Sequence, residues 1–136
     1  MSIHIHHIAI VVDDLDEALA FYQQALGLTL AERRAVPEEE VEIAFLPAGE
    51  GEIELLRPLD DRSGVARFLA KRGEGVHHVC LRVDDVEAAM ARLQAAGAHL
   101  LSETPQVNPH GVRYVFVHPK SAHGVLVELY EVKGDE

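Results

Sequence analysis

The sequence predicts an α+β fold in which two tandem β-α-β-β-β modules form a cup-shaped mixed sheet, and three observations lead there. The first is an internal repeat. The stretch His6-His7-Ile8-Ala9-Ile10-Val11-Val12-Asp13-Asp14 returns as His77-His78-Val79-Cys80-Leu81-Arg82-Val83-Asp84-Asp85, a displacement of 71 residues from His7 to His78. The same displacement carries Leu15 to Val86, Ala18 to Ala89, Leu19 to Met90, Tyr22 to Leu93 and Ala25 to Ala96. One module has been used twice, which suggests a pseudo-twofold structure. The second observation is periodicity, since each copy opens with strict alternation and then changes to a helical stripe. The third is size. A chain of 136 residues, 48% of them apolar, suffices for one domain with a core and falls short of two ordinary ones. The expected organisation is one domain over 1–136, with module one at about 1–60, a linker at about 61–75 and module two at about 76–136.

Residues 5–12 alternate as a strand, with Ile8, Ile10 and Val12 on one face and His7, Ala9 and Val11 on the other. Asp13 or Asp14 can cap a following helix whose Leu15, Ala18, Leu19, Tyr22 and Leu26 share a stripe, and Gly27 ends it. That stripe covers the aliphatic side of the strand and leaves the His7 side uncovered by this helix. Strands at about 28–35, 41–47 and 52–57 follow, separated by Pro37-Glu38-Glu39-Glu40 and Ala48-Gly49-Glu50-Gly51. In the last of them Glu54 alternates with Ile53 and Leu55, so it shares the His7 side. Residues 58–75 read as the link, with Ser63 capping a short helix over 65–71 and Gly73 stopping it. The second module repeats the pattern: a strand carrying His78, a helix over 86–96 before Gly97, and strands near 98–101, 112–118 and 125–131. In the last strand Glu128 alternates with Val127 and Leu129.

Bulk charge narrows the function classes. With 12 basic and 23 acidic side chains the formal net charge is -11, which disfavours nucleic acid or an acidic membrane surface as partner. The one cysteine, Cys80, has no intrachain partner for a disulfide, and no N-terminal run resembles a signal peptide or membrane span. A cytoplasmic protein is expected. There is no nucleophile elbow, no partnered Cys-His motif and no glycine-rich phosphate loop.

Each half therefore offers one His and one Glu from its first and last strands: His7 with Glu54, and His78 with Glu128. Either histidine alone reads as a hydrogen-bonded core residue. Doubled by the repeat, two imidazoles and two carboxylates make a divalent metal site suited by donor type to Zn, Mn, Co, Ni or Fe, and the cup surrounds it. Lys120 and Ser121, in His118-Pro119-Lys120-Ser121, read first as an exposed turn and second as a grip on a substrate anion.

These segments resemble the vicinal oxygen chelate (glyoxalase-like) superfamily and, more closely, its methylmalonyl-CoA epimerase family. The resemblance covers essentially the whole chain. Its general part is His7-Ile8-Ala9-Ile10 with residues 15–28 (LDEALAFYQQALGL); its specific part is residues 53–58 (IELLRP), 63–78 (SGVARFLAKRGEGVHH) and 118–129 (HPKSAHGVLVEL). The resemblance implies metal binding by His7, Glu54, His78 and Glu128, with Co, Mn, Ni or Zn as the ion. It implies an acyl-CoA substrate, a homodimer, and a 1,1-proton transfer interconverting (R)- and (S)-methylmalonyl-CoA through an enolate. The family pattern places a catalytic Glu in a Pro-Glu dipeptide after the second strand. Here that is Pro37-Glu38, which makes Glu38 one acid/base and Glu128 both ligand and second acid/base. The family commonly continues with Gln-Gly, whereas this chain has Glu39-Glu40, so a shift of one residue would pass the role to Glu39. The alternatives are a glyoxalase I type isomerase, an extradiol-type dioxygenase, and a metal-free ligand-sequestering resistance protein.

Overall fold

The computed structural model describes residues 2–133. The chain divides into two compact units: His7–His77 is the first, and the residues up to His6 together with those from His78 onward are the second. The domain boundaries expected at residues 1 and 136 lie outside the described residues.

In the first unit, β1 (His4–Val11, which enters the unit at His7) leads to α1 (Leu15–Leu19), then β2 (Glu32–Val36), β3 (Val41–Ala48), β4 (Gly51–Pro58) and α2 (Gly64–Arg72). The strand order is β2-β3-β4-β1, antiparallel except for the parallel pair β1 and β4. Asp14 caps α1 by accepting from Glu17 N–H at 3.1 Å. Beneath α1 lies a core of Val12, Leu15, Leu19, Ala44, Leu46 and Leu55, with Ile10 and Ile53 packed against it. The aliphatic face is therefore the one this helix covers. The opposite face carries Ala9, Val11, Ile43 and Leu56, and there Val65, Phe68 and Leu69 of α2 supply the cover. Ser63 caps α2 and Gly73 ends it, as the linker sequence suggested.

The second unit repeats the scheme with β5 (Gly75–Val83, which enters it at His78), α3 (Val86–Ala95), β6 (Gln106–Val107), β7 (Arg113–Val117) and β8 (Val127–Glu131). The order is β5-β8-β7-β6, again with the first and last strands parallel neighbours. Asp85 caps α3 by accepting from Ala88 N–H at 3.0 Å, 71 residues on from Asp14. Val83, Val86, Met90, Val115 and Leu129 form the core under α3. Two β-α-β-β-β units with mixed strand pairing make this an α+β protein, as expected.

Three elements depart from expectation. The first helix changes at Ala20 into a π-helical segment, Ala20–Ala25, in which Leu26 N–H donates to the Phe21 carbonyl at 2.7 Å. A five-residue step turns the chain further than an α step does, so Leu26 leaves the stripe and stands 57% exposed. The strand expected over 28–35 begins only at Glu32, because Leu28 and Leu30 turn in to pack against the α1 core. The strand expected near 98–101 shrinks to one antiparallel bridge, Leu100 with Val117, and the pairing resumes at the two-residue β6. Gly97, at φ 87, and the bends at 101, 103 and 104 leave no room for a longer ladder.

Candidate metal and acid/base site

In the first unit the parallel ladder sets His7 opposite Glu52 and Ala9 opposite Glu54. Glu54 is thus one step along the diagonal from His7 on the same face, and the His7 Nδ1 lies 3.4 Å from the Glu54 Oε2. In the second unit Cys80 is opposite Glu128, which places Glu128 on the same diagonal from His78. The His78 Nε2 lies 3.2 Å from the Glu128 Oε1, and the ring stands edge-on to Phe116 at 5.7 Å. His7, Glu54, His78 and Glu128 are 7–9% exposed. Carboxylates are seldom so buried without a partner.

This arrangement fits a metal ion by its chemistry. Each couple pairs a borderline nitrogen donor with a hard oxygen donor. Two donors at first-row bond lengths from one ion lie about 3.0 to 3.4 Å apart, depending on whether the angle between them is octahedral or tetrahedral. The separations of 3.4 and 3.2 Å are close to that spacing. Each unit thus offers a His/Glu couple able to hold a divalent ion.

Glu38 stands elsewhere. Pro37–Glu39 is a 3-10 turn joining β2 to β3, with buried Val36 and Val41 on its flanks and Glu38 and Glu39 exposed. The ladder places this turn beyond the pair Val41 and Pro58, whereas Glu54 pairs with Phe45. Four strand steps lead from Glu54 to Pro58, about 13 Å of rise. The structure does not bring Glu38 into the His7–Glu54 couple, and among the described residues its side chain makes no ion pair or hydrogen bond.

The remaining candidates have local roles. Cys80 is fully buried on the face of His78. Lys120 and Ser121 are exposed in the turn Pro119–Ala122. His118 caps it by accepting from Lys120 N–H at 3.0 Å, and the Ser121 hydroxyl accepts from His99 N–H at 2.8 Å. His99 and His118 stack at 5.0 Å.

Two buried or strained carboxylates escaped the sequence reading. Glu131, 8% exposed, accepts from Arg113 at 3.0 and 2.9 Å and from the first N–H of α3, that of Val86, at 3.0 Å. The Arg113 guanidinium holds its carboxyl below the usual range, against the opposing effect of burial. Its place two residues beyond Leu129, on the same face of the strand, was the available signal. Glu40 adopts φ 60, a left-handed conformation that sequence does not announce outside glycine.

Among the described residues no helix is long and apolar enough to cross a membrane. The chain matches the glyoxalase/bleomycin resistance protein/dioxygenase superfamily over residues 6–116. It is 41% identical over 126 residues to the mitochondrial methylmalonyl-CoA epimerase of Homo sapiens, an alignment covering 92% of this chain and 72% of that one. It is also 41% identical over 130 residues to an ethylmalonyl-CoA/methylmalonyl-CoA epimerase of Cereibacter sphaeroides, covering 94% and 97%. A solved methylmalonyl-CoA epimerase in complex with methylmalonyl-CoA and NH4+ superposes with a TM-score of 0.81 at 35% identity, covering 94% of this chain and 93% of that one.

Proposed function

We propose a reaction for a chain that belongs to the glyoxalase/bleomycin resistance protein/dioxygenase superfamily and, within it, to the methylmalonyl-CoA epimerases. It is an isomerase acting on an acyl-CoA. It moves a proton on and off the carbon between the thioester and the carboxylate of methylmalonyl-CoA, interconverting the R and S forms through an enolate. The observation that carries this reading is the 41% identity over 94% of the chain to a relative of nearly the same extent. The methylmalonyl-CoA held by a structural neighbour supports the substrate.

His7 and Glu54 in one unit and His78 and Glu128 in the other are the ligands we propose for a divalent ion, Co, Mn, Ni or Zn. Their burial, their donor types and the repeated diagonal support this assignment. When bound, the ion supplies Lewis-acid stabilisation of the negative charge that develops on the thioester oxygen, an effect worth several kcal/mol. Inversion needs a proton acceptor on one face of the planar carbon and a donor on the other. Glu38, on its exposed turn, serves one face. Glu128 serves the other in addition to holding the ion.

A cytoplasmic homodimer completes the proposal. Ile3 and Ile5, 52% and 55% exposed, offer apolar surface to a second copy, and the buried thiol of Cys80 suits a reducing compartment. A monomer mass by light scattering would rule the dimer out.

The reaction is tested by incubating metal-depleted and metal-loaded protein with (S)-methylmalonyl-CoA in deuterium oxide. Deuterium should enter at the methine carbon, with appearance of the R form, only in loaded protein. No exchange with any of the four ions would sink the substrate assignment. Full exchange in depleted protein would remove the ion from the reaction.

A further inference from the structure

The two units match at the rung that carries each glutamate and part at the next one. In the first unit Ala9, Glu54 and Phe45 stand side by side on neighbouring strands, and in the second Cys80, Glu128 and Phe116 do the same. Two residues further along the first strand of each unit, on the same face, the rows differ. The first unit has Val11, Leu56 and Ile43, all buried, with Val65, Phe68 and Leu69 of α2 packed against them. The second has Arg82, Tyr130 and Tyr114. Among the described residues no helix follows β8, and α3 lies on the opposite face, over Val83, Val115 and Leu129. Where the first row is sealed by a helix of its own unit, the second is polar and half-buried.

Arg82 is the sharpest departure from the repeat, standing where the first copy has Val11. It is half-buried, yet among the described residues its side chain makes no ion pair or hydrogen bond, whereas Arg33, Arg57 and Arg113 each meet carboxylates. Holding a guanidinium partly out of water without a partner is costly, and its planar fork of donors matches the oxygens of a carboxylate or a phosphate. Tyr130, opposite it on the ladder, has a fixed ring: its phenol oxygen accepts from Asn108 Nδ2 at 3.4 Å, and the His6 ring lies against it with centroids 4.6 Å apart. Glu128 is two residues before Tyr130 on the same face, about 7 Å along the strand, so one small molecule can touch both rungs. A polyanionic acyl-CoA approaching a chain of formal net charge -11 gains from a local cation where it docks.

We propose that the row of Arg82, Tyr130 and Tyr114 receives the charge of the acyl-CoA, with the Arg82 guanidinium holding an anionic oxygen of its carboxylate or of its phosphates. The inference rests on the acyl-CoA reading above. It also gives a doubled scaffold the unequal halves that a substrate with two different ends requires.

Arg82→Met, which keeps an unbranched stem and loses the charge, and Arg82→Lys, which keeps the charge, test it in the metal-loaded full chain. Both are assayed on methylmalonyl-CoA and on methylmalonyl-pantetheine, the same thioester without the phosphates. Arg82→Met should raise KM for methylmalonyl-CoA roughly ten- to a hundredfold, the range for a hydrogen bond to a charged group, at parental metal content and melting temperature. Arg82→Lys should lie between it and the parent. A rise that persists on the pantetheine thioester assigns the carboxylate as the anion, and a rise confined to the CoA thioester assigns a phosphate. Parental KM on both substrates in Arg82→Met overturns the inference, as does a loss in both variants that follows metal content or melting temperature. A parent that introduces no deuterium into methylmalonyl-CoA refutes the acyl-CoA reading and the inference with it; a parent that does, beside an Arg82→Met of equal KM, sinks the inference alone.

Discussion

His7 and His78 each meet a buried carboxylate at 3.4 and 3.2 Å, so replacing either imidazole leaves a carboxylate in a site that solvent barely reaches. If the couples hold an ion, His78→Ala should lower bound metal and epimerisation together. Elemental analysis of dialysed protein checks this, and one ion per chain retained in the variant would refute the role. Glu38 predicts a different phenotype. Glu38→Gln should keep its metal, because Glu38 stands apart from both couples, yet lose two to four orders of magnitude in turnover, the range for a missing acid/base. Glu39→Gln should turn over near the parental rate, and the opposite result would move the assignment by one residue. The four ligand candidates were legible in sequence because the repeat doubled each of them and alternation fixed their face. Glu40 and Glu131 were not. Their roles depend on a backbone angle and on a neighbouring arginine and helix end, neither of which alternation encodes.

The caps Asp14, Ser63 and Asp85 were readable because a short acceptor before an apolar stripe has few other uses. The π turn was not, since a helical stripe says which residues are apolar and not how many residues close each turn. It makes a sharp pair of expectations. Leu26→Ser should change stability by less than about 0.5 kcal/mol, whereas Leu19→Ala, at a site 6% exposed, should cost about 2 to 5 kcal/mol in urea unfolding. A large cost at Leu26 would mean that the α stripe persists. Glu131 joins three elements, accepting from Arg113 on β7 and from the first turn of α3 while seated on β8. Its folded carboxyl lies below the ordinary 4.5, so its contribution is complete above that value and disappears as pH falls through the lowered one. Glu131→Gln should cost about 2 kcal/mol at neutral pH and flatten the acid limb of the stability curve. An unchanged acid limb would show that the carboxylate contributes nothing through its charge.

If the four ligand candidates bind an ion, its loss should be felt beyond any one element. Adding Mn2+ or Co2+ to metal-depleted protein at about a hundredfold over Kd should stabilise the fold by about 2.7 kcal/mol. Hydrogen exchange should slow in β1 and β5 together, and His78→Ala should abolish the slowing in both. Metal-dependent protection of β1 that survives in His78→Ala would mean that each couple binds by itself. The chain-level plan was legible because it is written twice. Glu128 lies three residues beyond the strict repeat of Glu54, a difference that loops of unequal length can absorb, and the ladders show the two to be equivalent. His7 and Glu54 are 47 positions apart and His78 and Glu128 are 50, yet each Glu faces the residue two beyond its His. Strand register, not distance along the chain, holds each couple together. Loop lengths between the two strands are therefore free to drift: an insertion in the Ala48-to-Gly51 bend or in the 102–112 segment would be silent at the couple, whereas one residue added inside β4 or β8 would turn its glutamate to the other face. A search for relatives by fixed His-to-Glu spacing would accordingly reject chains whose chemistry is intact.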